Sequence, residues 1–474
     1  MRSNGVVATS ISQGRAVSTE SETGSAPGIR TVVASSVIGT VVEWFDFFAY
    51  STAAAMVFNV LFFPQYDSVV GTILAFGGIA VGYFGRPLGS IFFGHFGDRI
   101  GRKAMLVVSL FTMGGATFLI GLMPTYATIG IAAPAILLTL RFLQGFALGG
   151  EWGGAVLLVV EHAPPRRRGF FASFPQVGLA IGLSLATLTY LALVQLPPAQ
   201  FQSWGWRIPF LLSAILVFVG MVIRLKITET PQFEALRQRG GQVKLPFVET
   251  LRTHGGQVAL CALTFGTIGG VFYALFTFSV TYGKDFIGQS TNLMLAVSTL
   301  CAAVSVIGLP IAGHLADRFG VRAVFCSGVV VTIVTAFPAF WLIDSGSTVW
   351  LTLGYLLITV GFCGSYGTLG LLYAQAFDVS VRYTGISLGI GLGTIIGSAF
   401  VPIIYLELLD TFGGSWAISA YLVLTGIVAV ATSIGLTRRN GFGDDAEGSS
   451  EVDVVPCTRR LISRPGLSNS RPHR

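Results

Sequence analysis

The chain has 474 residues, of which 53% are hydrophobic and only 11% charged, and its formal net charge is +7. That much apolar surface excludes a soluble globular domain. The positive excess follows the loop pattern described below, so it calls for no acidic or nucleic-acid partner.

Residues 1–30 are rich in Ser, Thr and Gly and lack an apolar h-region, so they are expected to be a disordered cytoplasmic tail and not a cleaved signal peptide. Apolar stretches of bilayer-spanning length then follow at about 31–60, 68–94, 104–123, 130–160, 170–194, 207–225, 258–282, 291–313, 323–343, 349–375, 384–408 and 414–436. The expected fold is an all-α membrane protein with twelve transmembrane helices in two six-helix halves, 31–225 and 258–436. A cytoplasmic connector (226–257) joins the halves, and a second disordered tail runs over 437–474. Alternate loops hold the basic clusters Arg99, Arg102, Lys103; Arg166, Arg167, Arg168; Arg318, Arg322; Arg382; and Arg438, Arg439. Loops rich in Lys and Arg stay in the cytoplasm, which puts both termini there; Lys284 is the clear exception on the opposite side.

Ionisable residues inside these stretches need a partner or a task, because a charge at mid-bilayer costs at least several kcal/mol. In the first stretch, Val41-Val42-Glu43-Trp44-Phe45-Asp46-Phe47-Phe48-Ala49-Tyr50 places Glu43, Asp46 and Tyr50 on one face. Asp46 lies roughly 22 Å along such a helix from Thr31, at or beyond mid-membrane. Two carboxylates on one buried face suit proton exchange; the alternative is a permanent acid neutralised by arginine. Arg86 in the second stretch sits about 18 Å before Asp98. It either offers a substrate carboxylate a bidentate fork or snorkels and bonds carbonyls freed near Pro87.

The fourth stretch contains Arg141, Gln144 and Glu151 in one broad stripe, with Gly145, Gly149 and Gly153 at the four-residue spacing of close helix packing. Running opposite to the first, it brings Arg141 to the depth of Asp46. An Asp46–Arg141 pair with Glu43 nearby is therefore the expected coupling constellation, and Glu151 binds, couples or simply pairs.

Gly94-His95-Phe96-Gly97-Asp98-Arg99-Ile100-Gly101-Arg102-Lys103 recurs as Gly313-His314-Leu315-Ala316-Asp317-Arg318-Phe319-Gly320-Val321-Arg322, and Glu161 with Arg168 corresponds to Gln375 with Arg382. Near-equal offsets indicate two related halves, as in many secondary transporters. Asp98 is expected to bond a helix N-terminus while Arg99 or Arg102 pairs with Glu161, a gate that exists only with the cytoplasmic side closed; Asp317, Arg318 and Arg382 form its second-half counterpart. Gln375 replaces the acid, so that counterpart loses a charge or borrows Asp378. Gly385, Gly389, Gly393 and Gly397 step by four along the eleventh stretch and suggest close packing that slides. Cys261, Cys301, Cys326 and Cys363 stand singly in apolar stretches, and no metal or cofactor is expected.

The loop motif resembles the signature of the major facilitator superfamily. Residues 43–50, 86–103, 141–155 and 204–210 are similar to its metabolite:proton symporter family, whose members take up 2-oxoglutarate, citrate, shikimate, proline and betaines. The resemblance implies a monomeric plasma-membrane transporter, not an enzyme, whose partners are the bilayer, a small carboxylate or zwitterion, and protons. It also implies that Asp46 and Arg141 match the coupling acid and arginine of the related sugar porters. Candidate substrate contacts are Arg86, Arg141, Gln144, Glu151, Trp152, Tyr50, Tyr273 and Tyr366. A facilitator or exchanger without proton coupling is the alternative, and a transporter-derived sensor the least favoured reading.

Overall fold

The computed structural model describes residues 28–66, 68–240 and 244–436. Twelve long helices dominate: α1 (Ile29–Phe62), α2 (Ser68–Arg99), α3 (Arg102–Leu122), α4 (Ala132–His162), α5 (Arg168–Leu193), α6 (Ile208–Leu225), α7 (Pro246–Phe276), α8 (Thr291–Phe319), α9 (Val321–Asp344), α10 (Thr348–Ala374), α11 (Arg382–Phe412) and α12 (Trp416–Gly435). Among the described residues, eleven are long and apolar enough to cross a membrane. The remaining one, α2, is 32 residues long and includes Arg86, His95, Asp98 and Arg99. Phe111, Phe218, Ile307 and Trp341 stand exposed on the outside of the bundle, as side chains facing lipid do.

The repeated loop motif explains two turns at once. Gly101 (φ 134°) and Gly320 (φ 91°), the equivalent glycines of the two copies, reverse the chain between α2 and α3 and between α8 and α9. A side chain disfavours that backbone region. The first glycine of each copy serves another purpose, close approach between halves. A Cβ on Gly94 would stand 2.8 Å from Thr384 Cα, and one on Gly313 would stand 2.5 Å from the Gly169 carbonyl oxygen. The two halves accordingly meet along α2–α11 and α5–α8, contacts related by the duplication.

The eleventh-stretch glycines do not lie on that seam. Gly389, Gly393 and Gly397 seat against Cys261, Phe265 and Gly266 of α7, within the same half, so their spacing packs α11 internally and is no sliding surface. The expected connector also holds structure: a helix spans Pro231–Gln238, and α7 starts at Pro246. The tail expectations for 1–30 and 437–474 fall outside the described residues, except that α1 starts at Ile29.

The ends of α2, α4, α6, α8 and α10 gather the basic loops at one face of the bundle, here called the basic end. A basic residue beyond Lys284 lies at the other end: Arg207 donates to the Gly121 (2.9 Å) and Met123 (2.6 Å) carbonyls and rests on the Trp206 ring. It answers the negative C-terminal end of α3, so its charge serves packing there.

Candidate functional site

Three buried acids lie near the centre of the first half, and two of them, Glu43 and Glu151, meet an arginine directly. Glu43 on α1 accepts from Arg86 on α2 at 3.3 Å, and its second oxygen, Oε2, is buried with no partner. Asp46, one turn further, accepts from Thr117 on α3 at 2.5 Å. Thr117 in turn accepts from Gln144 at 2.5 Å, and Gln144 accepts from Arg141 at 2.7 Å. Asp46 and Arg141 are thus joined through Thr117 and Gln144 where a direct ion pair was expected. Arg141 instead lies over the Tyr50 ring at 3.8 Å. The third acid, Glu151, accepts from both terminal guanidinium nitrogens of Arg224 on α6 and from Ser109 at 2.7 Å. That arrangement neutralises it away from the centre.

Between the halves lies a cavity of about 40 Å³, lined by Glu43, Trp44, Tyr83 and Arg86 of α1 and α2, Trp152 of α4, Phe265 and Phe272 of α7, Tyr366 of α10, and Thr394 and Ser398 of α11. It has room for a few waters and none for a metabolite, which needs several hundred Å³. A π turn at Ile395–Ala399 interrupts α11 beside Thr394 and Ser398. Away from the basic end the cavity is lidded by the Tyr83–Tyr273 hydroxyl contact (3.0 Å) and the Trp44–Phe272 ring pair (4.9 Å), both of which cross between halves. A smaller void behind Arg86 reaches Arg141 and Gln144.

The basic end is shut by reciprocal caps. Asp98 of α2 accepts from the Tyr383 (3.2 Å) and Thr384 (2.8 Å) amides at the start of α11, and Asp317 of α8 accepts from the Gly169 (2.6 Å) and Phe170 (2.9 Å) amides at the start of α5. Helix N-termini favour carboxylates, so each half holds the other by the same device. Glu161 then joins two arginines, Arg102 of its own half and Arg382 of the other at 3.3 Å. The connector completes this cluster: Thr230 accepts from Arg102 at 2.6 Å, Gln232 from Arg382 at 2.7 Å, and Glu229 from the Arg102 amide at 3.1 Å. Gln375 lines a cavity of about 730 Å³ with Arg168 and Arg322. Asp378 lies against His254 at 3.1 Å.

Of the expected substrate contacts, Arg86, Trp152 and Tyr366 line the central cavity and Tyr273 sits on its lid. Tyr50, Arg141 and Gln144 belong to the Asp46 network, and Glu151 to Arg224. Of the expected gate residues, Asp98, Arg102, Glu161, Asp317 and Arg382 bridge the halves, while Arg99 and Arg318 are exposed. Sequence reasoning missed Arg224, which closes the sixth apolar stretch and reads there as a loop charge. It also missed Tyr83, Phe272 and Ser398, for which only the fold supplies a signal.

A twelve-helix bundle of two related halves that close over a central charged cavity is the architecture of a secondary transporter working by alternating access. The chain belongs to the Major Facilitator Superfamily, whose profile matches residues 36–390. It is 40% identical over 410 residues to the inner membrane metabolite transport protein YhjE of Escherichia coli (strain K12), covering 84% of this chain and 92% of that one. It is 37% identical over 416 residues to the shikimate transporter of the same organism (85% and 94% covered), and 30% identical over 406 residues to the citrate-proton symporter of Klebsiella pneumoniae (85% and 90% covered). The proton:xylose symporter XylE bound to 6-bromo-6-deoxy-D-glucose superposes with a TM-score of 0.71 at 16% identity, over 86% of this chain and 94% of that one. At that identity the likeness is one of fold.

Proposed function

We propose that the protein is a proton-coupled symporter that brings a small organic anion or zwitterion into the cell. The observation that carries this reading is the Glu43–Arg86 pair facing a closed cavity between the halves. An acid and a base that share one site let a proton and a carboxylate influence each other's binding. The relatives support it, since their names include a citrate-proton symporter and transporters of shikimate and of proline/betaine.

In this reading the chain works as a monomer and its basic end faces the cytoplasm, with both termini there. Residues 31–225 and 258–436 rock about the α2–α11 and α5–α8 seams, and the caps at Asp98 and Asp317 with the Arg102–Glu161–Arg382 cluster form the cytoplasmic gate. Glu43 is the proton-coupling acid at the cavity, and Asp46, with Arg141 as its countercharge, stands one turn behind it. Arg86 holds the substrate's carboxylate among Trp152, Tyr366 and the Tyr83–Tyr273 lid.

Adding substrate to lightly buffered cells that express the protein is expected to alkalinise the medium in step with uptake. Uptake of a relative's substrate with the external pH unchanged would identify a facilitator.

A further inference from the structure

We propose that substrate and Glu43 compete for Arg86, so that the carrier takes a monocarboxylate together with one proton and the loaded cavity carries no net charge. This inference deepens the symport reading and rests on it. Arg86 and Glu43 are the only charged side chains among the described residues lining the cavity, and the second half contributes aromatic, aliphatic and hydroxyl groups alone. The other first-half charges lie outside its lining: Asp46 accepts from Thr117 and Arg141 donates to Gln144, with Asp46 Oδ1 and Arg141 Nε left unbonded, and Glu151 pairs with Arg224.

Charge counting then selects the cargo. The empty site holds one cation and one anion. Adding a proton to Glu43 frees the guanidinium and leaves one positive charge, which a single carboxylate cancels. A dicarboxylate would leave a surplus negative charge and a zwitterion a surplus positive one, both costly once the halves close around the substrate and exclude water. Oε2 of Glu43 is buried with no partner and can take the proton, and the neutral carboxyl then loosens the hold of Oε1 on Arg86.

The groups that face Glu43 are Arg86 and Tyr83 of α2, Glu151 of α4 with Arg224 of α6 behind it, and Tyr366 of α10, while Asp46 lies one turn along its own helix. Only Arg86 bonds it. Seven aromatic side chains, among them Trp152, Tyr366 and Phe272, form the walls, so the body attached to the carboxylate is uncharged and suited to stacking.

The test uses purified full-length protein in liposomes, with labelled shikimate and benzoate as monocarboxylates, 2-oxoglutarate as dicarboxylate and glycine betaine as zwitterion. A pH gradient should concentrate a monocarboxylate at a rate that a potassium–valinomycin potential of either sign leaves unchanged. In the wild type, monocarboxylate affinity should fall about tenfold per pH unit once Glu43 is ionised. Glu43→Gln should bind it equally well at every pH, retain exchange of internal for external substrate, and lose concentrative uptake.

Concentration of 2-oxoglutarate or betaine, a rate that follows the potential, or pH-dependent uptake surviving in Glu43→Gln would each overturn the inference while leaving symport standing. A monodisperse Glu43→Gln protein that binds nothing would also overturn it. No uptake of any compound by the wild type would contradict the symport reading and this inference with it.

Discussion

Arg86→Gln is expected to weaken substrate binding by about 30-fold or more, the largest expected effect of any single substitution on affinity. Truncating one member of a buried, hydrogen-bonded charge pair costs about 2–5 kcal/mol, and each 1.4 kcal/mol is tenfold in affinity. Arg86 is the cation in the cavity wall, whereas Arg141 spends its guanidinium on Gln144 and the Tyr50 ring. Arg141→Gln should accordingly leave affinity within a few-fold of wild type. Because Arg86→Gln strands the Glu43 carboxylate, the double variant with Glu43→Gln is the control: it restores a neutral, folded cavity and should still fail to bind. Titration of purified protein by tryptophan fluorescence, reporting from Trp44 and Trp152 on the cavity wall, reads all four proteins. Tight binding by the double variant would remove Arg86 from the site.

The second large effect is expected at the basic end. Arg102→Ala deletes the ion pair to Glu161 and the bonds to Thr230 and the Val379 carbonyl at once. Breaking a buried ion pair of this kind costs about 3–5 kcal/mol, here charged against the state with that end shut. Ser173→Cys, placed in a background with the native cysteines replaced, buries a thiol on the α5–α8 seam beside Gly313. Its labelling by a membrane-impermeant thiol reagent from the basic side should become at least about tenfold faster with Arg102→Ala. Concentrative uptake should be lost. Gln375→Glu should act in the opposite direction, because it places an acid among Arg168 and Arg322 in the second-half cavity and recreates the Glu161 arrangement there. Labelling at the wild-type rate in Arg102→Ala would show that the cluster holds nothing shut.

The sequence and the structure agree where one physical rule dominates. Spans of about 20 apolar residues, a duplicated charged turn and the loop bias of Lys and Arg are long-range signals that no local contact overrides, and they led to a twelve-helix, two-half carrier. The contacts at the basic end were equally legible at Asp98, Arg102 and Glu161, since a carboxylate at a helix end and an opposite charge near another helix start favour such pairing. The central site was legible only in part. Helical periodicity put Glu43, Asp46 and Tyr50 on one face, but a face does not say which acid meets which base. Asp46 and Arg141 do lie at matching depth, yet Thr117 and Gln144 stand between them, and the arginine that meets a helix-1 acid directly is Arg86. Glu151 looked available because its partner, Arg224, sits 73 residues away at the margin of another span. Phe272 and Ser398, which line the cavity from the second half, carry no charge to betray them in an apolar chain, and Tyr273 stood out only as one aromatic among several. Their role depends on the angle between the halves, which sequence spacing does not encode.

The central claim is that a proton and an organic solute cross together through the cavity between the halves. The most direct measurement is uptake of the labelled panel into proteoliposomes under an inward proton gradient, with and without an uncoupler. The account predicts that one compound rises well above its external concentration and that the uncoupler returns it to equilibrium. Uptake that reaches equilibrium at the same rate and level with and without the uncoupler would contradict it, leaving a facilitator of the same fold.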